Sequence, residues 1–220
     1  MKIVAISDTH GMLDKVRVPE GDVLIHCGDL LNHGTAKEFF AEIHKLAELG
    51  RGYEHVLYCP GNHDFFVQEN QYLAKETCLN MNITLLLDKE EVIDGVKFYG
   101  TPWTPIFYDW AFNAPPEKLT TLFSFIPEDT DILVTHGPAY GILDRTVFGE
   151  NIGSQELLDR IKSLRKLNTH LFGHCHFSYG ASHIKNDSQE YTAVNCASCG
   201  EDYKLTNFPF EFHMKEYSDR

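Results

Sequence analysis

An apolar pair and a glycine lead into two histidines that flank a cysteine: Leu171, Phe172, Gly173, His174, Cys175, His176. Side chains alternate sides along extended backbone, so this spacing places His174 and His176 on one side and Cys175 on the other. That suits two ligands and one buried thiol. Four earlier runs carry related groups: "SDTHG" with Asp8 and His10, "HCGDL" with Asp29, "PGNHD" with Asn62, His63 and Asp64, and "VTHGP" with His136. Carboxylate, amide and imidazole donors together form a ligand set for hard to borderline divalent cations. Any one of these runs is weak, because a histidine after a strand is more often a packed or loop residue. Five in order, each closing a strand-like run, are not explained by packing, since a parallel arrangement brings such ends to one edge.

The elements that must position these groups are legible as short apolar runs. Strand-like stretches rich in Val, Ile and Leu occupy about 2–7, 23–27, 55–59, 131–135 and 169–173. A helix is expected over "TAKEFFAEIHKLAELG", with Phe39, Phe40, Ile43, Leu46, Ala47 and Leu49 at helical spacing and a stop at Gly50. A second is expected over 64–79 and a third over 154–166, with Ser154 as N-cap. The stretch 83–100 contains Asp94-Gly95 between alternating apolar positions, a hairpin signal. An antiparallel pair is expected over 177–195 with "KNDSQ" as its turn, and a last strand near 209–213. Alternating strands and helices argue an α/β protein with a mixed system of two stacked sheets. No repeat or linker marks a second domain, so residues 1–220 are read as one domain.

The formal charge is −13, from 32 acidic against 19 basic residues. Affinity for nucleic acid is carried mainly by Lys and Arg on phosphates, so an extended nucleic-acid surface is not expected. A small anion remains suitable if a local cation attracts it. No secretory signal and no membrane-length apolar stretch is visible, so the cytoplasm is the expected location. Cys27, Cys59 and Cys78 lie in or beside apolar runs and read as small buried hydrophobes. Cys196 and Cys199 form a C-x-x-C with no second such pair, which disfavours a zinc knuckle and leaves their role open.

The order Asp-x-His, Gly-Asp, Gly-Asn-His-Asp, His, Gly-His-x-His resembles that of the calcineurin-like metallophosphoesterases, block by block from Asp8 to His176. "YGTPWTPIFYDWAFN" and "THGPAYGILD" are similar to the compact branch of MPPED-type or class III phosphodiesterase-like proteins. The resemblance implies a four-layer αββα sandwich with two mixed β-sheets. It also implies two divalent metal ions, with Mn²⁺ favoured and Fe, Zn²⁺ or Ni²⁺ acceptable to such ligands. One would be held by Asp8, His10, Asp29 and His176, the other by Asp29, Asn62, His136 and His174, with Asp29 bridging. His63 is implied as a catalytic imidazole that holds no metal, oriented by Asp64. The implied reaction is in-line attack on phosphorus by a hydroxide shared between the ions, about 3.5 to 4 Å apart.

Phosphoprotein phosphatases of this superfamily follow the Gly-Asp block with an arginine that grips a phosphomonoester dianion. Here Leu30, Leu31, Asn32, His33 and Gly34 follow Asp29. Two divalent ions, two carboxylates and one hydroxide leave a single net positive charge, which suits a diester monoanion. A small phosphodiester, such as a cyclic nucleotide, is therefore the expected substrate. A monoesterase, protein phosphatase or nuclease of the same superfamily is the alternative, as is a scaffold that has lost catalysis. His33, Arg145 and Trp103 are candidate substrate contacts, although a lone loop arginine is more often a surface charge. The segment with Trp103, Phe107, Tyr108, Trp110 and Phe112 is a candidate wall for a nucleobase, or else packs an irregular loop. His26, His44, His55, His170, His183 and His213 read as structural or solvated. No feature identifies the oligomeric state.

Overall fold

The computed structural model describes residues 1–185 and 189–214. Strands β1 (Lys2–Ile6), β2 (Val23–His26) and β3 (His55–Tyr58) lie side by side in parallel and are apolar along most of their length. Such strands lack polar alternation because both faces of their sheet are covered. β4 (Ile83–Leu85) continues this sheet beyond β3, and β13 (Phe210–His213) closes the other edge antiparallel to β1. The second sheet holds β5 (Lys89–Ile93), β6 (Val96–Thr101), β9 (Ile132–Thr135), β10 (Thr169–Phe172), β11 (Gly180–Lys185) and β12 (Glu190–Asn195). Its spatial order is β11-β12-β10-β9-β6-β5, with β6, β9, β10 and β12 mutually parallel. A short parallel pair, β7 (Thr104–Pro105) and β8 (Asn113–Ala114), lies outside both sheets.

Three apolar clusters separate four layers. Between the sheets, Ile3, Ala5, Ile25 and Leu57 of the first meet Phe98, Val134, Leu171 and Val194 of the second. On the outer face of the first sheet, Val4, Leu24 and Tyr58 meet α1 (Ala36–Leu49), α2 (Phe65–Glu69) and α3 (Gln71–Asn80) through Phe39, Ile43, Phe66 and Cys78. On the outer face of the second, Leu133, Phe172 and Ala193 meet α4 (Pro116–Phe123) and α5 (Gln155–Ile161) through Leu119, Phe123, Leu157 and Ile161. The chain is an αββα sandwich with two mixed sheets.

Local sequence explains where the elements begin. The Thr35 side chain accepts the Glu38 N–H and starts α1, and Ser154 does the same for α5 through Leu157. Asp94 and Gly95 both adopt positive φ, the conformation of a tight two-residue hairpin, and join β5 to β6.

Several expectations change in three dimensions. The helix expected over 64–79 is two helices that meet at Asn70, whose backbone is non-helical. The third helix stops at Ile161 instead of 166. The stretch 83–100 is divided between sheets, β4 pairing with β3 and the hairpin joining the other. Phe40, placed on the apolar face of α1, is exposed and lies against Phe66 from outside. The 177–195 hairpin forms as β11 and β12, while residues 186–188 of its expected turn lie outside the described residues. Among the described residues, no helix is long and apolar enough to cross a membrane.

Candidate metal centre

The parallel strands end at one edge of the sandwich. Ser7, just past β1, bridges in parallel to Ala197, just past β12, so the two sheets deliver their strand ends to the same place. Asp8 and His10 follow β1, Asp29 follows β2, Asn62 and His63 follow β3, His136 follows β9, and His174 and His176 follow β10.

The backbone there is bent sharply. Asp8, His10, Asp29 and His174 all have positive φ, between 44° and 67°. Residues with a side chain adopt this region at a cost of about 1–3 kcal/mol and keep it where packing dictates it. His174–Cys175–His176 is consequently not extended: His174 is left-handed and His176 opens a 3-10 turn. The two imidazoles diverge into different groups instead of sharing one face, and Cys175 is buried with its thiol on the Arg145 carbonyl. Close approach also requires glycine. A Cβ on Gly173 would sit 2.0 Å from Asp8 Oδ2, and one on Gly61 2.4 Å from Asp29 Oδ1.

Three sets of donor atoms converge within 4.8 Å: Asp8 with His10 and His176, His10 with Asp29 and His63, and Asp29 with His136 and His174. Asp29 belongs to two of the three. Its Oδ2 lies 3.9 Å from Nε2 of both His10 and His63, and its Oδ1 lies 3.4 Å from Nε2 of His136. Asn62 Oδ1 lies 2.8 Å from that same His136 nitrogen.

Backbone carbonyls aim the rings. Nδ1 of His63 bonds the Asn32 carbonyl at 2.7 Å, that of His136 the Cys27 carbonyl at 3.1 Å, and that of His176 the Gly200 carbonyl at 3.1 Å. A carbonyl only accepts, so each Nδ1 carries hydrogen and each Nε2 faces the carboxylates. Asp8 and Asp29 are buried, with no Lys or Arg paired to them among the described residues. Burial raises both carboxyls, but hydrogen bonds and charges from His176 and His136 hold them below the ordinary range. Burial lowers His136, yet Asp29 and Asp8 outweigh it and lift the ring to about 9. His10 and His174, dominated by burial, fall to about 4. The chain thus gathers two carboxylates, an amide oxygen and imidazole nitrogens around a point that requires positive charge. The donor set fits divalent metal.

A profile of the calcineurin-like phosphoesterase family matches residues 1–178. The chain belongs to that family. It is 34% identical over 94% of its length to metallophosphoesterase domain-containing protein 1 of Homo sapiens, covering 69% of that protein. It is also 34% identical over 97% of its length to a UPF0046 protein of Caenorhabditis elegans, covering 75% of it. Two solved structures share the fold. One, a protein of Thermus thermophilus, has a TM-score of 0.59 at 16% identity over 90% of each chain. The other, a phosphopantetheinyl hydrolase from Mycobacterium tuberculosis, has a TM-score of 0.58 at 15% identity over 88% of this chain and 89% of that one. Family membership makes the protein a metal-dependent phosphoester hydrolase.

Other expected site residues of this calcineurin-like phosphoesterase have partners of their own. Asp64 does not hold the His63 ring: its carboxylate accepts Leu31 N–H at 2.9 Å and Gly61 N–H at 2.7 Å, tying the Asp29 and Asn62 loops together. Burial, then the charge of Asp29, raises its carboxyl to about 7. Trp103 donates Nε1–H to Asp88 at 2.8 Å and lies under Lys118. His33 is exposed, with Nε2 near the Asn32 side-chain amide. Arg145 is exposed and folds toward Gly149 of its own loop, while its carbonyl anchors Cys175 and Ser178.

Of the aromatics read as a candidate wall, Trp110 reaches the centre, and it is joined there by residues outside the motifs. Trp110 stacks on His63, with ring centroids 4.3 Å apart. Tyr203 lies 4.8 Å from His10 and 5.1 Å from His176. His26 is buried at the centre's back, with Nε2 on the Thr9 hydroxyl and Nδ1 accepting Gly28 N–H, and burial drives it to about 3. Tyr203 follows β12, so the strand-end argument reaches it once β12 is known to run parallel to β10. From sequence alone β12 was visible only as half of a hairpin.

Proposed function

We propose that this hydrolase acts on a small phosphodiester at a binuclear centre held by Asp8, His10, Asp29 and His176 on one side and Asp29, Asn62, His136 and His174 on the other. The observation that carries this reading is the position of Asp29, shared between donor groups and facing three histidine Nε2 atoms within 3.9 Å. Divalent cations held by these residues would supply Lewis-acid charge to the phosphoryl oxygens and an activated water.

The chain's own residues do the rest. His63 keeps its Nδ1–H on the Asn32 carbonyl and presents Nε2 to the ester, where, carrying a second proton on Nε2, it stabilises the charge developing on the departing oxygen or gives it that proton and returns to the neutral ring. Trp110 restrains its ring from the other side. Leu30 and Leu31, which occupy the positions after Asp29, are fully buried in the core and offer no cationic grip for a phosphomonoester dianion. A singly charged diester asks for less, which favours it over a monoester. The chain's charge of −13 further favours a small substrate over a polynucleotide. Mn²⁺ is the ion proposed for these mixed O and N ligands. All six cysteines are free and buried, in keeping with a reducing cytoplasm.

The test compares kcat/KM for bis(p-nitrophenyl) phosphate and p-nitrophenyl phosphate in the Mn²⁺-loaded protein. A ratio above one is expected. A clear preference for the monoester would refute the diester assignment, and turnover of neither would refute the hydrolytic one.

A further inference from the structure

Two aromatic rings stand at the centre without belonging to its ligand set, and they come from separate loops. Trp110 is carried by the segment after β7. The Ala111 N–H bonds the Asn62 carbonyl at 3.1 Å, which brings the indole beside His63. Tyr203 is carried by the loop after β12, over His10 and His176 and 6.4 Å from His63. Among the described residues no ring contact joins Trp110 to Tyr203. The His63 ring, whose Nε2 faces the carboxylates, is the one both reach.

The Tyr203 loop is built to hold its ring there. Its ends are tied by the Cys199–Leu205 bridge, by Gly200 N–H to the Lys204 carbonyl at 2.9 Å, and by Thr206 N–H to the Ser198 carbonyl at 3.1 Å. The Gly200 carbonyl is the same one that aims His176. Tyr203 itself has a φ of +57°, a conformation that a bulky residue rarely adopts, and it is 49% exposed. Packing alone does not account for a strained, half-exposed tyrosine facing ligand histidines.

We propose that Tyr203 and Trp110 are substrate-contacting residues that select an ester bearing a planar aromatic group, the ring resting against the surface these two side chains leave open beside His63 as the phosphoryl group reaches the centre. This inference rests on the hydrolase reading for the phosphoryl position. Stacking of one ring on such a surface is worth roughly tenfold in affinity.

Calorimetry on the Mn²⁺-loaded protein tests it with phenylphosphonate and methylphosphonate, which share a charged head and cannot be hydrolysed. Phenylphosphonate should bind about tenfold more tightly to the wild type. Tyr203→Leu should bring that ratio toward one while leaving methylphosphonate affinity unchanged, Trp110→Leu should bring it toward one whatever it does to methylphosphonate through His63, and Tyr203→Phe should keep the preference. Equal affinities in the wild type, or an unaltered ratio in Tyr203→Leu, would overturn the proposal. So would loss of methylphosphonate binding in Tyr203→Leu, which would make Tyr203 a support of the centre instead of a contact. Because binding is read without turnover, failure of the hydrolase reading shows separately, in the assay with bis(p-nitrophenyl) phosphate.

Discussion

Nε2 of His10 lies 3.3 Å from Nε2 of His176, and Asp8 Oδ1 lies 3.3 Å from the same His176 nitrogen. His10 Nδ1 is buried without a hydrogen-bond partner. Without metal, contacts this close are held by ring protons, and the same lone pairs suit a cation that displaces those protons. The wild type is therefore expected to take up two equivalents of Mn²⁺ in a calorimetric titration. Asp29→Ala should fall below one equivalent, whereas His174→Ala should retain about one. Removing metal with a chelator should lower the melting temperature, since a ligand at a thousand times its Kd stabilises by about 4 kcal/mol. One equivalent in the wild type, or two in Asp29→Ala, would contradict the shared position of Asp29.

His63 and Asp64 are neighbours with different work, and two variants should separate them. His63→Ala is expected to keep both metals while kcat falls on the order of 10². Asp64→Ala leaves the buried Leu31 and Gly61 N–H groups unpaired, each costing about 1–3 kcal/mol. Its signature is a lowered melting temperature with reduced metal content. Wild-type turnover in His63→Ala with both metals bound would remove that residue from catalysis.

Gly173→Ala would place a methyl carbon 2.0 Å from Asp8 Oδ2 and 2.1 Å from Ser7 Oγ. Neither neighbour has room to retreat, because Ser7 and Asp8 are both fully buried. The variant should lose metal binding at the Asp8 side even if it folds, measurable as a drop in bound Mn²⁺ per chain. Full occupancy in a soluble Gly173→Ala protein would contradict the close approach.

His170 gives a pH dependence away from the centre. It is fully buried, with Nε2 on the Thr135 hydroxyl, and burial lowers it from its ordinary 6.5 to about 3. The unfolded chain therefore binds a proton that the folded chain refuses between those values, and stability falls as pH drops below about 6.5. Each unit is worth about 1.4 kcal/mol, or roughly 2 kcal/mol from pH 6.5 to 5. Wild type should lose that much more than His170→Gln over this range in urea titrations. Parallel pH curves would show that His170 is not the sensitive group.

The ligand types and their order were legible from the sequence because each sits in a short loop directly after an apolar run, and strand ends in a parallel sheet share an edge. That Asp8, His10, Asp29, Asn62, His63, His136, His174 and His176 meet needed no more than that logic, whereas which of them hold metal was implied by the family resemblance. The two stacked sheets followed too, from the strand-like runs and the Asp94-Gly95 hairpin signal, and Ser154 marked a helix start, while the four-layer order was implied by the family resemblance. What tertiary structure alone decided were contacts between residues far apart in sequence. The carbonyls of Asn32, Cys27 and Gly200 orient His63, His136 and His176 from 31, 109 and 24 positions away. Backbone carbonyls carry no residue identity, so no motif could announce them. Long-range backbone contact likewise moved Asp64 from His63 to the N–H groups of Leu31 and Gly61, and singled out Trp110 among the candidate wall aromatics as the ring that stacks on His63. Tyr203 entered only because β12 pairs parallel to β10, a register that composition and periodicity do not encode.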